Sequence, residues 1–126
     1  MSNRHKIGEV AERTGLSLRT IRYYEEVGLV RPTARTDGGF RLFTDDDVAR
    51  LEVLKGMKPL GFSLDEMREL VDVLDGHGGA DGRSSEATLA EFHARAVDRC
   101  ASLRRKLASA EALTEDLGRR LEGGRG

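Results

Sequence analysis

The side chains with the clearest chemical potential are arginines and tyrosines spaced to share one side of a single helix. In residues 18–27 (LRTIRYYEEV), one face of the helical pattern is apolar and carries Leu18, Ile21 and Tyr24. The opposite face carries Arg19, Arg22, Tyr23 and Glu26. Guanidinium groups fork onto guanine or phosphate and a tyrosine hydroxyl donates to phosphate, so this face suits a helix in the major groove of DNA. The alternative is a salt-bridged solvent face, and Glu26 would repel phosphate unless it pairs with an arginine or lies beyond the backbone.

The cations are clustered although the chain as a whole is nearly neutral. Its 21 Lys and Arg against 22 Asp and Glu give a formal net charge of −1. Between positions 13 and 41, however, arginines outnumber acids; they stand at positions 13, 19, 22, 31, 35 and 41. Phosphate contacts require such local clusters rather than a high overall charge. Lys58, after the predicted third helix, can add a further phosphate contact.

Two short helices separated by a glycine are predicted to position this face. Residues 7–14 (IGEVAERT) predict a first helix that stops at Gly15. Ser17 is a typical N-cap for the second helix, which Gly28 closes. This is the helix-turn-helix pattern, although many helical hairpins share it.

A small β-hairpin, or wing, is predicted to follow. The turn signal at 37–39 lies beside the apolar residues Phe40, Leu42 and Phe43. Alternation places Arg41 on the other side of the wing from Phe40 and Leu42, where it can touch DNA.

Capping boxes predict the starts of the third and fourth helices. Thr44 with Asp47 forms the first box, and Ser63 with Glu66 forms the second. Apolar faces follow at helical spacing, made by Val48, Leu51, Val53, Leu54 and Met57 and then by Leu64, Met67, Leu70, Val71 and Leu74. Four glycines within residues 76–82 then predict a linker.

The last predicted helix, residues 85–121, carries a heptad seam. With Leu89 at position d, the d residues are Leu89, Ala96, Leu103, Ala110 and Leu117, and the a residues are His93, Cys100, Leu107, Thr114 and Leu121. All of these except His93 and Thr114 are predicted dimer contacts. At about 1.5 Å per residue the helix is about 55 Å long, more than the preceding lobe can cover. A second copy of the chain is the simplest partner, and folding back onto its own domain is the alternative.

Neither an enzyme nor a metal site is predicted. No Ser-His-Asp grouping, phosphate-binding loop or zinc spacing occurs, so we expect no catalytic residues, cofactor or metal. His93 and Cys100 lie roughly 10 Å apart on one helix, too far to share an ion. Core packing explains both, with metal binding across a dimer or a redox role for Cys100 as alternatives. No apolar run approaches the roughly 18 residues of a membrane span and no secretion signal is visible, which predicts a cytoplasmic protein.

Three motifs together resemble the MerR family of bacterial regulators. They are T-x-R-Y-Y-E at 20–25, G-F-R-x-F at 39–43 and L-G-F-S-L-x-E-M at 60–67. The resemblance extends from residue 6 to about residue 74, in the family's order and spacing. One departure is that Phe40 and Phe43 stand where the family usually has Tyr. The hydroxyl-to-phosphate bonds of those tyrosines are therefore absent, and the wing depends on Arg41.

The resemblance implies a homodimer joined by an antiparallel coiled coil of the last helix. Such dimers bind promoters with an over-long spacer and distort the DNA so that RNA polymerase engages both promoter elements. Positions that match the family's typical DNA contacts are Arg19, Thr20, Arg22, Tyr23, Tyr24, Arg41 and Lys58. Ser17 and Arg35 complete the predicted DNA-binding set. Because the sequence stops at Gly126, we expect no separate ligand-binding domain.

The predicted fold is all-α with a small β-wing: a winged helix-turn-helix followed by a long dimerisation helix. We expect a DNA-binding domain at 1–75, a glycine-rich linker at 76–84, a coiled-coil helix at 85–121 and a flexible tail at 122–126. The predicted function is a transcriptional regulator whose partners are promoter DNA, a second copy and RNA polymerase. A coiled-coil adaptor without DNA binding is the alternative, although an adaptor has no need of Arg19, Arg22 and Tyr23 on one face. A repressor that binds without distorting DNA is a further variant.

Overall fold

The computed structural model describes residues 4–32, 34–35, 38–76 and 84–124. Close contacts divide the chain after Thr88 into an N-terminal unit and the unit Leu89–Gly126. The elements in chain order are β1 (Arg4–Lys6), α1 (Ile7–Thr14), α2 (Leu18–Glu26), β2 (Ala34–Arg35), β3 (Arg41–Thr44), α3 (Asp45–Met57), α4 (Leu64–Leu74) and α5 (Ser85–Gly123). The predicted helix-rich fold with a small wing is confirmed.

The tight connection between α1 and α2 is the predicted helix-turn-helix. Gly15 closes α1 with φ of 76°, a left-handed conformation that glycine adopts without the cost of a side chain. Ser17 then caps α2, its hydroxyl oxygen accepting a hydrogen bond from the backbone N–H of Thr20 at 3.0 Å. Both predicted boundaries are confirmed.

The wing is part of a three-stranded antiparallel sheet with the order β1-β3-β2. Strand β3 pairs with β2 as the predicted hairpin, and on its other edge with β1, where His5 lies opposite Phe43. Sequence analysis did not predict β1, because Arg4–Lys6 is three polar residues long and has no apolar alternation to mark it as a strand. Asp37 of the predicted turn and residues 77–83 of the predicted linker at 76–84 lie outside the described residues.

Both predicted capping boxes are present. Thr44 and Asp47 exchange hydrogen bonds at the start of α3, and Ser63 and Glu66 do the same at the start of α4. Asp47 is buried, and besides its cap contact its carboxylate pairs with Arg50 at 3.2 Å. The box therefore fixes the junction between the wing and α3 within the core.

The core of the N-terminal unit is built from the inward faces of its helices and from β3. Its fully buried side chains include Val10, Ile21, Val30, Phe43, Leu51 and Leu54. Two details of the predicted apolar faces are wrong. Leu18, placed inward, is 41% exposed, because it lies at the first position of α2 where the helix emerges from the turn. In α4, Val73 is buried and Leu74 is exposed, because the helix ends there and the last turn presents Val73 inward.

Helix α5 extends two residues beyond the predicted end at 121. Near its start Thr88 and Phe92 are buried, whereas Leu89 and His93 of the predicted seam are exposed. Farther along, the seam leucines of this single chain are open to solvent, with 41% exposure at Leu103 and 72% at Leu121. Within the described ranges, no helix is both long enough and apolar enough to cross a membrane.

Candidate nucleic-acid interface

Helix α2 presents its polar face outward, as the helical pattern predicts. Ile21 is fully buried and Tyr24 is 3% exposed, and together they fix the rotation of the helix against the core. Arg19, Arg22 and Tyr23 are therefore exposed on the other side. Ile21 and Tyr24, three positions apart, pack against the core and thereby fix which face of α2 is exposed. Arg19 and Arg22 are held at the surface in this way and not by contacts of their own side chains.

The hydroxyls at the start of α2 are engaged with each other. Ser17 Oγ donates to Thr20 Oγ1 at 2.9 Å while it accepts from the Thr20 backbone N–H. Both predicted DNA-binding hydroxyls thus have a structural role in capping the helix, and Ser17 remains exposed at the turn.

A cleft of about 730 Å³, which we call the helix cleft, opens beside α2. Its polar wall includes Arg19, Arg22 and Lys58, and its floor includes Phe62 and Met67. Across the described part of the chain, none of these three cations takes part in an ion pair or a side-chain hydrogen bond. Their charges are therefore available to an anionic partner.

Tyr24 belongs to the floor of this cleft rather than to its exposed wall. Burial, and secondarily the neighbouring Tyr23, raises the pKa of Tyr24 above its usual value near 10. The rings of Tyr23 and Tyr24 lie 6.0 Å apart and are tilted by 47°. Tyr23 is 43% exposed. The structure therefore places the two predicted tyrosines differently: Tyr23 faces outward and Tyr24 supports the helix.

Arg41 of the wing is paired with Glu25 of helix α2. It alternates with Leu42 as predicted, but the inward side of β3 is marked by fully buried Phe43, so Arg41 lies on the core-facing side. Its Nε lies 2.6 Å from Glu25 Oε1. The Nε–H is not directed at that oxygen, and the buried Glu25 Oε2 has no hydrogen-bond partner among the described residues. The contact is therefore an ion pair without an aligned hydrogen bond. Sequence analysis missed Glu25 as the partner because no local spacing relates residues 25 and 41.

A second concavity of about 900 Å³, which we call the wing groove, lies between β1, the start of α1 and the wing. Arg4, Lys6, Arg22 and Arg41 contribute cations to it, and Glu9 is the acid among its described lining residues. Arg22 is the residue common to this groove and the helix cleft. Sequence analysis missed Arg4 and Lys6, although the basic run at residues 4–6 was a visible signal.

His5 anchors β1 by contacts on both ring nitrogens. Nδ1 lies 2.9 Å from Glu9 Oε2, and Nε2 lies 2.7 Å from Asp45 Oδ1. The hydrogen bonds with Asp45 and then with Glu9 raise the pKa of His5 above its ordinary value of 6.5. In the protonated ring both nitrogens donate to carboxylates. Arg13 Nη1 lies 3.0 Å from His5 Nε2. Because a protonated Nε2 cannot accept a hydrogen bond, the nearby acceptor for Arg13 is then Asp45, whose Oδ1 lies 3.9 Å from Arg13 Nη1.

The remaining residues singled out in the sequence are Arg35, Cys100 and His93. The side chain of Arg35 lies outside the described residues. Cys100 is a half-buried free thiol on α5, and His93 is exposed. Among the described residues, no group of three or more His, Cys, Asp or Glu side chains has an arrangement that could hold a metal ion.

Comparison with known proteins gives family matches over most of the chain. Residues 5–74 match the family model of the MerR HTH family regulatory protein, and residues 48–119 match the MerR DNA-binding model. The chain is similar to the HTH-type transcriptional regulator YfmP of Bacillus subtilis, with 50% identity over 68 residues, or 53% of this chain and 49% of YfmP. It is also similar to the heavy metal-dependent transcription regulator 2 of Rhizobium meliloti, with 33% identity over 88% of this chain and 70% of that protein.

A solved structure extends these similarities to a DNA complex. HiNmlR, a MerR family regulator lacking the sensor domain, was crystallised bound to promoter DNA. The structural match covers 84% of this chain and 80% of the HiNmlR chain, with a TM-score of 0.66 and 28% sequence identity. The chain thus spans about half the length of YfmP and a larger share of the other two proteins.

Proposed function

The chain belongs to the MerR family of helix-turn-helix transcriptional regulators, and on this premise we propose that it binds promoter DNA as a homodimer. Helix α2 is the recognition helix in this proposal. Its proposed DNA contacts, together with those of the wing and of the α3–α4 turn, are Ser17, Arg19, Thr20, Arg22, Tyr23, Arg35, Arg41 and Lys58. Tyr24 supports the helix from beneath.

The observation that carries this proposal is the pair of opposite faces on α2. Ile21 and Tyr24 are buried, while Arg19 and Arg22 are exposed and have no ion-pair partner among the described residues. A solvent face that served only stability would gain from pairing these cations with nearby acids. Left unpaired beside an open cleft, they suit phosphate and base edges.

The exposed seam of α5 supports dimerisation. Leu103, Leu107, Leu117 and Leu121 are each at least 41% exposed in one chain. Apolar side chains repeated at heptad spacing are covered when a second helix packs along them. We propose an antiparallel pair of α5 helices, which presents two copies of α2 to one duplex and favours a palindromic site.

Distortion of an over-long promoter spacer is the proposed mode of regulation. Bending a short DNA site costs on the order of 1–6 kcal/mol, which phosphate and base contacts from two lobes can offset. The distorted promoter would then be engaged by RNA polymerase. A regulator that occupies the promoter without distorting it would use the same contacts. Measuring whether the bound protein bends promoter DNA distinguishes these two modes of regulation.

A gel-shift titration across a salt series tests DNA binding. We expect affinity for the promoter DNA to fall steeply with salt, because bound phosphates release counterions. Arg22→Ala should weaken binding at least tenfold, within the range for losing one well-placed arginine. Lys55→Ala is the matched control, since Lys55 is exposed on α3 and lines neither the helix cleft nor the wing groove. Undetectable or salt-independent binding would contradict the proposal and favour a coiled-coil adaptor.

A further inference from the structure

The wing groove carries an excess of positive charge that the recognition helix alone does not explain. In strand β1 the side chain of His5 is buried, whereas Arg4 and Lys6, the residues before and after it, are exposed. Neither cation forms an ion pair or a side-chain hydrogen bond with any described residue. With Arg22 and Arg41, they line a groove in which Glu9 is the one acid among the described lining residues.

The acid in the groove is already engaged. Glu9 accepts a hydrogen bond from His5 Nδ1 at 2.9 Å, so part of its charge is directed toward the anchored histidine. Even with Arg41 paired to Glu25, the described lining still sets Arg4, Lys6 and Arg22 against Glu9, so its charge balance is positive. The groove lies open at the surface between β1 and the wing. A polyanion lying along the surface fits this charge and this open groove.

Gly8 offers a second, independent observation. It lies in the first turn of α1, at the edge of the groove, and its φ is not in the left-handed region. A Cβ added there meets no atom of the described residues within 4 Å. Neither the backbone conformation of Gly8 nor its packing against the described residues requires glycine, and alanine is the better helix former. Close approach of a partner to the backbone is a physical reason for glycine at this position.

We infer that the wing groove binds the sugar-phosphate backbone of one DNA strand, with Arg4 and Lys6 as phosphate contacts. This inference rests on the proposed function. A helix in the major groove, which is about 12 Å wide, has a phosphate backbone on each side. The helix cleft, with Arg19 and Lys58, and the wing groove, with Arg4 and Lys6, meet at Arg22 and provide one cationic wall for each backbone. Strand β1 is thus part of the DNA-binding surface as well as of the sheet.

The test is the salt dependence of promoter binding by Arg4→Ala, Lys6→Ala and the double variant. Each lost phosphate contact should reduce the slope of log affinity against log salt by about 0.9. Because phosphates carry no sequence information, weakening should be equal on the promoter and on mutated versions of its site. Lys55→Ala removes the same charge outside the groove and should leave the slope unchanged. Circular dichroism should show unaltered folding, since both side chains are exposed.

A size series at Gly8 separates binding from folding. Gly8→Ala should raise Tm by about 2 °C through its helix propensity while it weakens DNA binding. Gly8→Leu should weaken binding further, because the longer side chain occupies the groove.

The outcomes distinguish this inference from the proposed function. If the wild-type protein binds promoter DNA and the Arg4, Lys6 and Gly8 variants bind with its slope and affinity, the wing groove is not a phosphate site although the proposed function stands. If the wild-type protein shows no salt-dependent DNA binding, both fail. Shallower slopes for Arg4→Ala and Lys6→Ala, with Lys55→Ala unchanged, would support the inference.

Discussion

At the scale of single residues, the ion pair between Arg41 and Glu25 links the wing to the recognition helix. Glu25 is the more buried partner, with 15% side-chain exposure against 41% for Arg41. Removing the cation leaves a largely buried carboxylate without its charge partner, which costs more than losing a surface pair. The pair thus gives Arg41 a role in stability in addition to its proposed contact with DNA.

We therefore predict that Arg41→Ala lowers the free energy of unfolding by about 1 kcal/mol and also weakens DNA binding. Adding Glu25→Gln should restore most of the stability, because no buried charge remains, whereas DNA binding should stay weak. Urea denaturation and gel shifts measure the two effects, with Glu25→Gln alone as control. A double variant no more stable than Arg41→Ala would contradict a charge-based account of this contact.

His5 predicts a dependence of stability on pH. Its pKa is raised in the folded protein by its hydrogen bonds with Asp45 and Glu9, whereas in the unfolded chain it titrates near 6.5. A raised folded pKa means that the bound proton stabilises the fold. This contribution is complete below about pH 6.5 and is lost as the pH rises through the folded pKa of His5.

Replacement of His5 by Gln should remove this dependence. We expect the difference in Tm between wild type and His5→Gln to be largest near pH 5.5 and to shrink by pH 8.5. Thermal melts of both proteins across this pH range measure the difference in Tm. The other titratable groups are the same in both proteins, so their effects on Tm cancel in this difference. A difference that grows with pH would show that His5 is neutral in the fold.

At the scale of elements, the turn between α1 and α2 sets the angle at which the recognition helix is presented. Gly15 holds φ of 76°, where any L side chain is strained. Gly56 lies within α3, and a Cβ there meets no atom within 4 Å in the part of the chain that the structure describes. The same substitution should therefore have opposite effects at the two sites.

We predict that Gly15→Ala lowers the free energy of unfolding by about 1 kcal/mol, while Gly56→Ala raises it by up to about 1 kcal/mol. Urea denaturation of both variants gives the comparison under identical conditions. If both alanines shifted the unfolding midpoint in the same direction, the left-handed conformation at Gly15 would not be the cause.

Elements with local chemical signals were predictable from the sequence, and those that depend on tertiary pairing were not. Ser17, Thr44 and Ser63 mark helix starts because each cap bonds within three residues of itself. Strand β1 has no such signal, since it exists only by pairing with β3. The outward face of α2 followed from periodicity, whereas the wing groove and the Glu25 contact needed the fold to bring distant segments together.

At the scale of the whole molecule, the account requires that α5 joins two copies. We predict that Leu103→Asp with Leu107→Asp yields monomers in analytical ultracentrifugation, because two charges would lie within the apolar seam. Ala108→Asp with Ala112→Asp is the matched control, with the same spacing and charge on exposed positions off the seam. A dimer that survives the leucine changes would place the interface elsewhere.

The central claim is that two copies of α2 bind neighbouring turns of one duplex. Selection of bound fragments from a random DNA pool tests it most directly, since neither the promoter nor the site need be known beforehand. The account predicts an inverted repeat whose half-site centres are separated by a whole number of helical turns, each about 10–10.5 base pairs. Recovery of no enriched sequence, or of a single asymmetric half-site, would contradict it.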